Sequence, residues 1–160
     1  MAVLALVIGV IIAVIDQVIK YFVSTNLAPV GSVNVIGDLF KLTYVENRGV
    51  AFGMFEDMRW VFIILTSALI GVIIYLLFNK KFDGKLFYIS SALILGGGIG
   101  NLIDRIFLGY VVDYLSLSFF PPVCNFADYC ITAGTVVLIV YVLFFSDLAG
   151  SSKKVNKADE

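Results

Sequence analysis

Six ionisable side chains stand in or beside long apolar stretches: Asp16, Lys20, Asp104, Arg105, Asp113 and Asp128. Three amides accompany them, Asn47, Asn101 and Asn125. An ionisable group at hydrocarbon depth costs a few kcal/mol by insertion scales, so each is a functional candidate by default. Some have a plain structural reading. Asp16 and Lys20 are i and i+4 on one helical face, which suits an intrahelical ion pair as well as a site. Asp104 and Arg105 read first as a paired charge fixing where an apolar run stops. Asp113 and Asp128 have no Lys or Arg close by in sequence. Two acids brought together cannot both ionise freely, so the pair holds a proton at a pH where a lone aspartate holds none. One member is then a base that activates water. The other is an acid that polarises a carbonyl or protonates a leaving amine. That is the chemistry of aspartic proteases.

Composition leaves room for little else. Of 160 residues, 61% are hydrophobic and 14% charged, against roughly 45–50% and about 25% in soluble domains. The mean hydropathy of +1.02 agrees, and a soluble core has too little polar surface to cover so much apolar side chain. The absence of histidine excludes Ser-His and Cys-His catalysis and His-ligated metals. Cys124 and Cys130 cannot build a Cys₄ cage, and with no redox motif they read as free thiols. A net charge of −1 gives no footprint for nucleic acid. Gly96, Gly97, Gly98 and Gly100 lack the Gly-Lys-Ser/Thr of a phosphate loop and point to close helix packing.

The elements that must position these residues are membrane helices. Spans of about 20 mostly apolar residues are expected at 3–23, 60–78, 86–104 and 126–146. Lys80, Lys81 and Lys85 between the middle spans, with Lys153, Lys154 and Lys157 in the tail, put both termini in the cytoplasm. Loops 24–59 and 107–125 then face outward. The first span lacks a basic leader and carries Asp16 and Lys20 where a cleavage site would fall, so it is read as retained. Partial alternation over 32–45, with a turn at Gly37-Asp38, predicts a small sheet in the first outer loop. Glu56-Asp57 precedes an interfacial Trp60, and Asn125 suits the N-cap of the last helix. The fold class is therefore an all-α membrane protein: four transmembrane helices with a small extracytoplasmic β-rich subdomain. Residues 1–150 form one domain, and 151–160 a disordered cytoplasmic tail. Every candidate polar residue falls at the outer ends of helices or in the outer loops, so they can converge on one outward-facing pocket.

Five segments then occur in order: Asp16-Gln17-x-x-Lys20, Glu46-Asn47-Arg48-Gly49-Val50-Ala51-Phe52-Gly53, Gly100-Asn101-Leu102-Ile103-Asp104-Arg105, Val111-Val112-Asp113-Tyr114 and Asn125-Phe126-Ala127-Asp128. Together they closely resemble the lipoprotein signal peptidase family, signal peptidase II, over roughly residues 8 to 146. The resemblance implies an aspartyl endopeptidase of the bacterial inner (cytoplasmic) membrane. It would remove signal peptides from diacylglyceryl-modified prolipoproteins on the N-terminal side of the lipidated cysteine. It maps the catalytic dyad onto Asp113 and Asp128. Asn101, Asp104 and Arg105 match the motif that organises the site. Asn47, Gly49 and Asn125 match positions lining the substrate or inhibitor pocket, with Ala127 in the same set. Asp16 and Lys20 support the pocket. Membrane lipid and globomycin-like inhibitors are the implied partners, with no cofactor and no metal. Tyr114 stands where the family usually has Phe, Phe126 where Val, Ile or Leu is common, and Cys124 where Phe is more usual. A small proton-coupled transporter or relay protein is the rival reading, since intramembrane acids also suit it. Against it, the acids gather at one face and no internal repeat is evident. A non-catalytic scaffold would leave the acids unexplained.

Overall fold

The computed structural model describes residues 1–49, 58–79 and 82–145. Glu56-Asp57, the Val50–Gly53 half of the second motif, Lys80, Lys81 and the tail lie outside the described residues. Four helices, α1 (Ala2–Phe22), α2 (Arg59–Phe78), α3 (Lys85–Phe107) and α4 (Phe126–Phe144), are each long and apolar enough to cross a membrane. The first continues past Phe22 through a π-helical turn, Val23–Leu27, where Thr25 and Asn26 side chains bond the carbonyls of Tyr21 and Phe22. It therefore ends later than the sequence pattern indicates.

Helix α3 is the centre of the bundle, and its glycines make it so. A Cβ on Gly96 would meet Ile12 at 2.5 Å and the Gly9 carbonyl oxygen at 2.8 Å. One on Gly97 would collide with the Ala127 carbonyl oxygen, and one on Gly100 with the Asp16 carboxylate. In lipid no hydrophobic force drives apolar helices together, so close backbone approach through small residues carries the packing. From α1, the residues Ala5, Gly9, Ala13, Asp16 and Lys20 form the buried stripe. Ala127, Cys130, Gly134 and Tyr141 are the buried residues of α4. Helix α2 buries only Ile73 and Leu77. Elsewhere large apolar side chains such as Val10, Ile64 and Val136 are exposed, as befits a lipid-facing wall.

Both loops at one end of the bundle fold into a single antiparallel sheet in the order β1 (Ser32–Ile36), β2 (Phe40–Asn47), β3 (Val111–Leu117) and β4 (Phe120–Cys124). The first hairpin turns through Gly37 at φ +48°. Alternation made β1 and β2 legible. It missed β3 and β4, because β3 is buried along Val111–Tyr114 and two prolines interrupt β4. The β2–β3 pairing sets Val45 opposite Asp113 and Asn47 opposite Val111. Helix α3 stops at Gly109, whose φ of +88° makes the left-handed turn. Arg59, at the start of α2, donates to the carbonyls of Arg105 and Ile106 at that end (2.6 and 2.7 Å).

Gly97→Ala should lower the thermal midpoint of the purified protein in detergent, since overpacking against backbone costs roughly 1–3 kcal/mol. Gly71→Ala, which would meet nothing within 4 Å, should leave it unchanged or slightly raised. Equal midpoints for the two variants would contradict the packing assigned to α3.

Candidate active site

The polar residues of the bundle meet at the sheet-bearing end. Lys20 is the hub. Its Nζ lies 2.8 Å from Asp16 Oδ2, 2.8 Å from Asp104 Oδ2 and 2.8 Å from Asn101 Oδ1. Those three acceptors use the three protons of the ammonium. Lys20, Asp16 and Asp104 are 3%, 0% and 2% exposed, so the cluster is withdrawn from bulk solvent. One cation faces two acids, and the acceptor capacity it leaves over is met by amides. Ala127 N donates to Asp16 Oδ1 (3.1 Å), Val112 N to Asp104 Oδ2 (3.1 Å) and Gln17 Nε2 to Asp104 Oδ1 (2.9 Å). Asp16 thus ties α1 to α4, and Asp104 ties α3 to β3.

This arrangement corrects one expectation. Asp104 pairs with Lys20, not with Arg105, because adjacent helical residues point about 100° apart and do not face each other. Arg105 Nη1 instead reaches the Asn101 carbonyl at 3.4 Å, and its guanidinium lies 5.2 Å from the Phe62 ring centroid on α2. Asp16 and Lys20 do form the intrahelical pair, yet the same ammonium also belongs to the wider network.

The amides link this hub to the remaining two acids. Asn101 Oδ1 accepts from Lys20 and from Asn125 Nδ2 (3.1 Å), which leaves Asn101 Nδ2 to donate to Asp128 Oδ1 (2.8 Å). Asn125 Nδ2 also donates to Asp113 Oδ1 (2.6 Å). Asn47 Nδ2 donates to Asp113 Oδ2 (2.8 Å), and its Oδ1 accepts from Gly49 N (3.0 Å). At the head of α4, Asn125 Oδ1 accepts from Asp128 N (2.9 Å) while Asp128 Oδ2 accepts from Asn125 N (3.0 Å). That reciprocal capping box bears out the N-cap reading and fixes the Asp128 rotamer. Asn125, fully buried, therefore touches Asp113 and Asp128 at once.

Asp113 lies on β3 and is 1% exposed. Burial, then the nearby negative charge of Asp128, pushes its pKa up to about 7, against hydrogen bonds from Asn47 and Asn125 that favour the carboxylate. Burial likewise lifts the Cys124 thiol to about 11, with Asp128 and Asp113 adding to it. Both cysteines are free.

Asp128 also lines a cavity of about 260 Å³ walled by Leu117, Phe119, Phe120, Cys124, Tyr129 and Thr132. A larger groove, about 570 Å³, runs between α1 and α3 and is lined by no acid. The smaller cavity is the one joined to the chemistry. Among the described residues no group of three or more Cys, Asp and Glu side chains is placed to hold a metal ion. The sequence reading gave no role to Gln17, though an amide beside Asp16 in an apolar span was a signal. It also gave none to the Tyr114 hydroxyl, which accepts from Phe126 N (3.2 Å).

The architecture is that of bacterial membrane enzymes. Two solved bacterial membrane enzymes, both determined by the in meso method, match it with TM-scores of 0.80 and 0.78 at 28% identity. The matches cover 87% and 89% of this chain and 87% and 94% of theirs. The family model for signal peptidase (SPase) II matches residues 8–144. A lipoprotein signal peptidase of Caldanaerobacter subterraneus subsp. tengcongensis is 43% identical over 141 residues, 88% of this chain and 97% of the relative. One from Clostridioides difficile is 42% identical over 134 residues, 82% of this chain and 88% of the relative. The chain belongs to the lipoprotein signal peptidase (signal peptidase II) family, membrane proteases that cleave signal peptides.

Lys20→Met should strand two buried carboxylates, a loss of about 3–5 kcal/mol. The thermal midpoint should fall sharply, while Lys41→Met, which breaks only the exposed pair with Asp38, should shift it by little. Comparable shifts in the two variants would contradict the hub.

Proposed function

We propose that this chain cleaves diacylglyceryl-modified prolipoproteins on the N-terminal side of the lipidated cysteine, with Asp113 and Asp128 as an aspartyl dyad. The observation that carries the reading is Asn125. Its single side-chain amide bonds Asp113, and its backbone and side chain both hold Asp128. Two acids tied to one residue, one of them lining a cavity, suit a shared water.

In this reading Asp128 is the ionised member. Amide donors reach both oxygens of each acid, but Asp128 alone sits at a helix N-terminus, where negative charge is favoured. Asp113, buried in the sheet, holds the proton. Water attacks the scissile carbonyl and gives its proton to Asp128, while Asp113 protonates the carbonyl oxygen. The tetrahedral intermediate collapses as Asp128 passes that proton to the leaving amine and Asp113 recovers its own. Asn47 and Asn125 hold Asp113. Asn101 orients Asp128, and Lys20 with Asp104 and Asp16 holds Asn101 and the head of α4. Gly49 places the Asn47 amide. Arg105, its guanidinium against Phe62, borders the site on the α2 side, and Ala127 keeps the first turn of α4 close to α3.

The Lys-rich flanks support cytoplasmic termini in the bacterial inner membrane, with the dyad toward the outer face, where water is available. The apolar walls suit acyl chains that remain in the bilayer. Globomycin-like cyclic peptides are expected to inhibit by occupying the same cleft. A proton relay would step acids across the bilayer, whereas here they share one end.

With purified protein and a lipidated substrate peptide, Asp113→Asn and Asp128→Asn should each reduce turnover at least about a hundredfold while leaving membrane insertion intact. Robust cleavage by either variant would remove that acid from the mechanism.

Because Asp113 must be protonated, kcat/KM should fall as pH rises through about 7. Asn47→Ala removes a hydrogen bond that favours the carboxylate, so the falling limb should move to higher pH. The expected displacement is roughly 0.5–1 pH unit for a bond worth about 1 kcal/mol. A limb that stays put or moves to lower pH would contradict the proton on Asp113.

A further inference from the structure

The first amides of a helix have no partner inside it. At the head of α4 two are met by the helix's own capping box and two by side chains from other elements. Asn125 N donates to Asp128 Oδ2, Phe126 N to Tyr114 Oη at 3.2 Å, Ala127 N to Asp16 Oδ1 at 3.1 Å, and Asp128 N to Asn125 Oδ1. The Tyr114 bond differs from the others in what it joins. Tyr114 follows Asp113 on β3 and is 4% exposed. Consecutive strand residues normally project to opposite faces. Here Asp113 holds the side chain of Asn125, and Tyr114 holds the backbone of the next residue. The strand segment bearing one acid therefore grips, at two successive points, the helical turn bearing the other.

We propose that Tyr114 is a positioning residue whose hydroxyl, by holding the Phe126 amide, sets the separation of the Asp113 and Asp128 carboxylates. The inference rests on the dyad reading above. A tyrosine at this place supplies an acceptor that a phenylalanine of the same shape lacks. Without it the Phe126 amide loses its partner, and the first turn of α4 can shift relative to β3. Small errors in the placement of reacting groups act on turnover more than on binding. Tyr114 is nearly fully buried, so its loss should leave substrate affinity alone.

The test is a double-mutant cycle in the full-length protein with a lipidated substrate. Tyr114→Phe removes the acceptor. Phe126→Pro removes the donor, since proline has no N–H and is tolerated at the first helical position. The preceding Asn125, at φ −130° and ψ 177°, already holds the extended conformation that a following proline requires. Tyr114→Phe should lower kcat roughly three- to tenfold with KM unchanged, and should have little further effect in the Phe126→Pro background. Unchanged kcat in Tyr114→Phe would overturn the proposal, as would equal losses in both backgrounds or a loss confined to KM. A collapse of Phe126→Pro would leave the kcat–KM split of Tyr114→Phe to decide. Failure of the wild-type protein to cleave any lipidated substrate would instead overturn the dyad reading itself, and the positioning role with it.

Discussion

One buried ammonium constrains everything at the working end of this protein. Lys20 stands among Asp16, Asp104 and Asn101 with no exposed face. A charge withdrawn from water is tolerable only when its partners are close and complete. Completing them recruits every neighbouring element. Asp16 belongs to Lys20's own helix and bonds the backbone of α4. Asp104 and Asn101 belong to α3, and Asp104 also bonds the backbone of β3. The stability of the ion cluster and the convergence of three helices with the sheet are the same fact.

From that hub the constraint passes outward through amides whose orientation is forced. Asn101 has its oxygen engaged by Lys20 and Asn125, so its nitrogen must face Asp128. Asn125 has its oxygen engaged by the head of α4, so its nitrogen must face Asn101 and Asp113. Among the described residues no fully buried side-chain nitrogen or oxygen lacks a partner. A low-dielectric interior strengthens such a chain of bonds when it is complete and penalises any gap. The same low dielectric raises the proton affinity of Asp113 beside Asp128. Structural order and acid strength thus have a common origin in burial.

Much of this was legible in the sequence. The four spans follow from hydropathy and length alone, and the convergence of acids at one end follows from where they sit in those spans. Asn125 before an apolar run reads as a cap, and Gly96, Gly97 and Gly100 read as packing positions. Spacing was less informative about partners. Asp104 and Arg105 are neighbours in sequence, but helical geometry turns them apart, and the partner of Asp104 comes from 84 residues away on α1. The second outer loop hid β3 because a strand buried on both faces shows no alternation. The Tyr114 hydroxyl was hidden for a different reason. A tyrosine in an apolar run looks like core, and only its contact with the first amide of α4 distinguishes it from phenylalanine.

Helix α2 stands apart from this construction. It buries two residues, Ile73 and Leu77, in the core cluster with Phe87, Ala92, Ile94 and Leu95 of α3, and it meets the far end of that helix through Arg59 on its last carbonyls and Phe62 against Arg105. None of its side chains bonds either acid of the pair in the described structure. The bundle is therefore unequally tied, with α1, α3, α4 and β3 joined by buried polar bonds and α2 by apolar packing and bonds at its start. The side chains that hold the two carboxylates come from the other three helices' side of the bundle and from the sheet, so the fastening of α2 and the placement of Asp113 and Asp128 draw on separate sets of contacts.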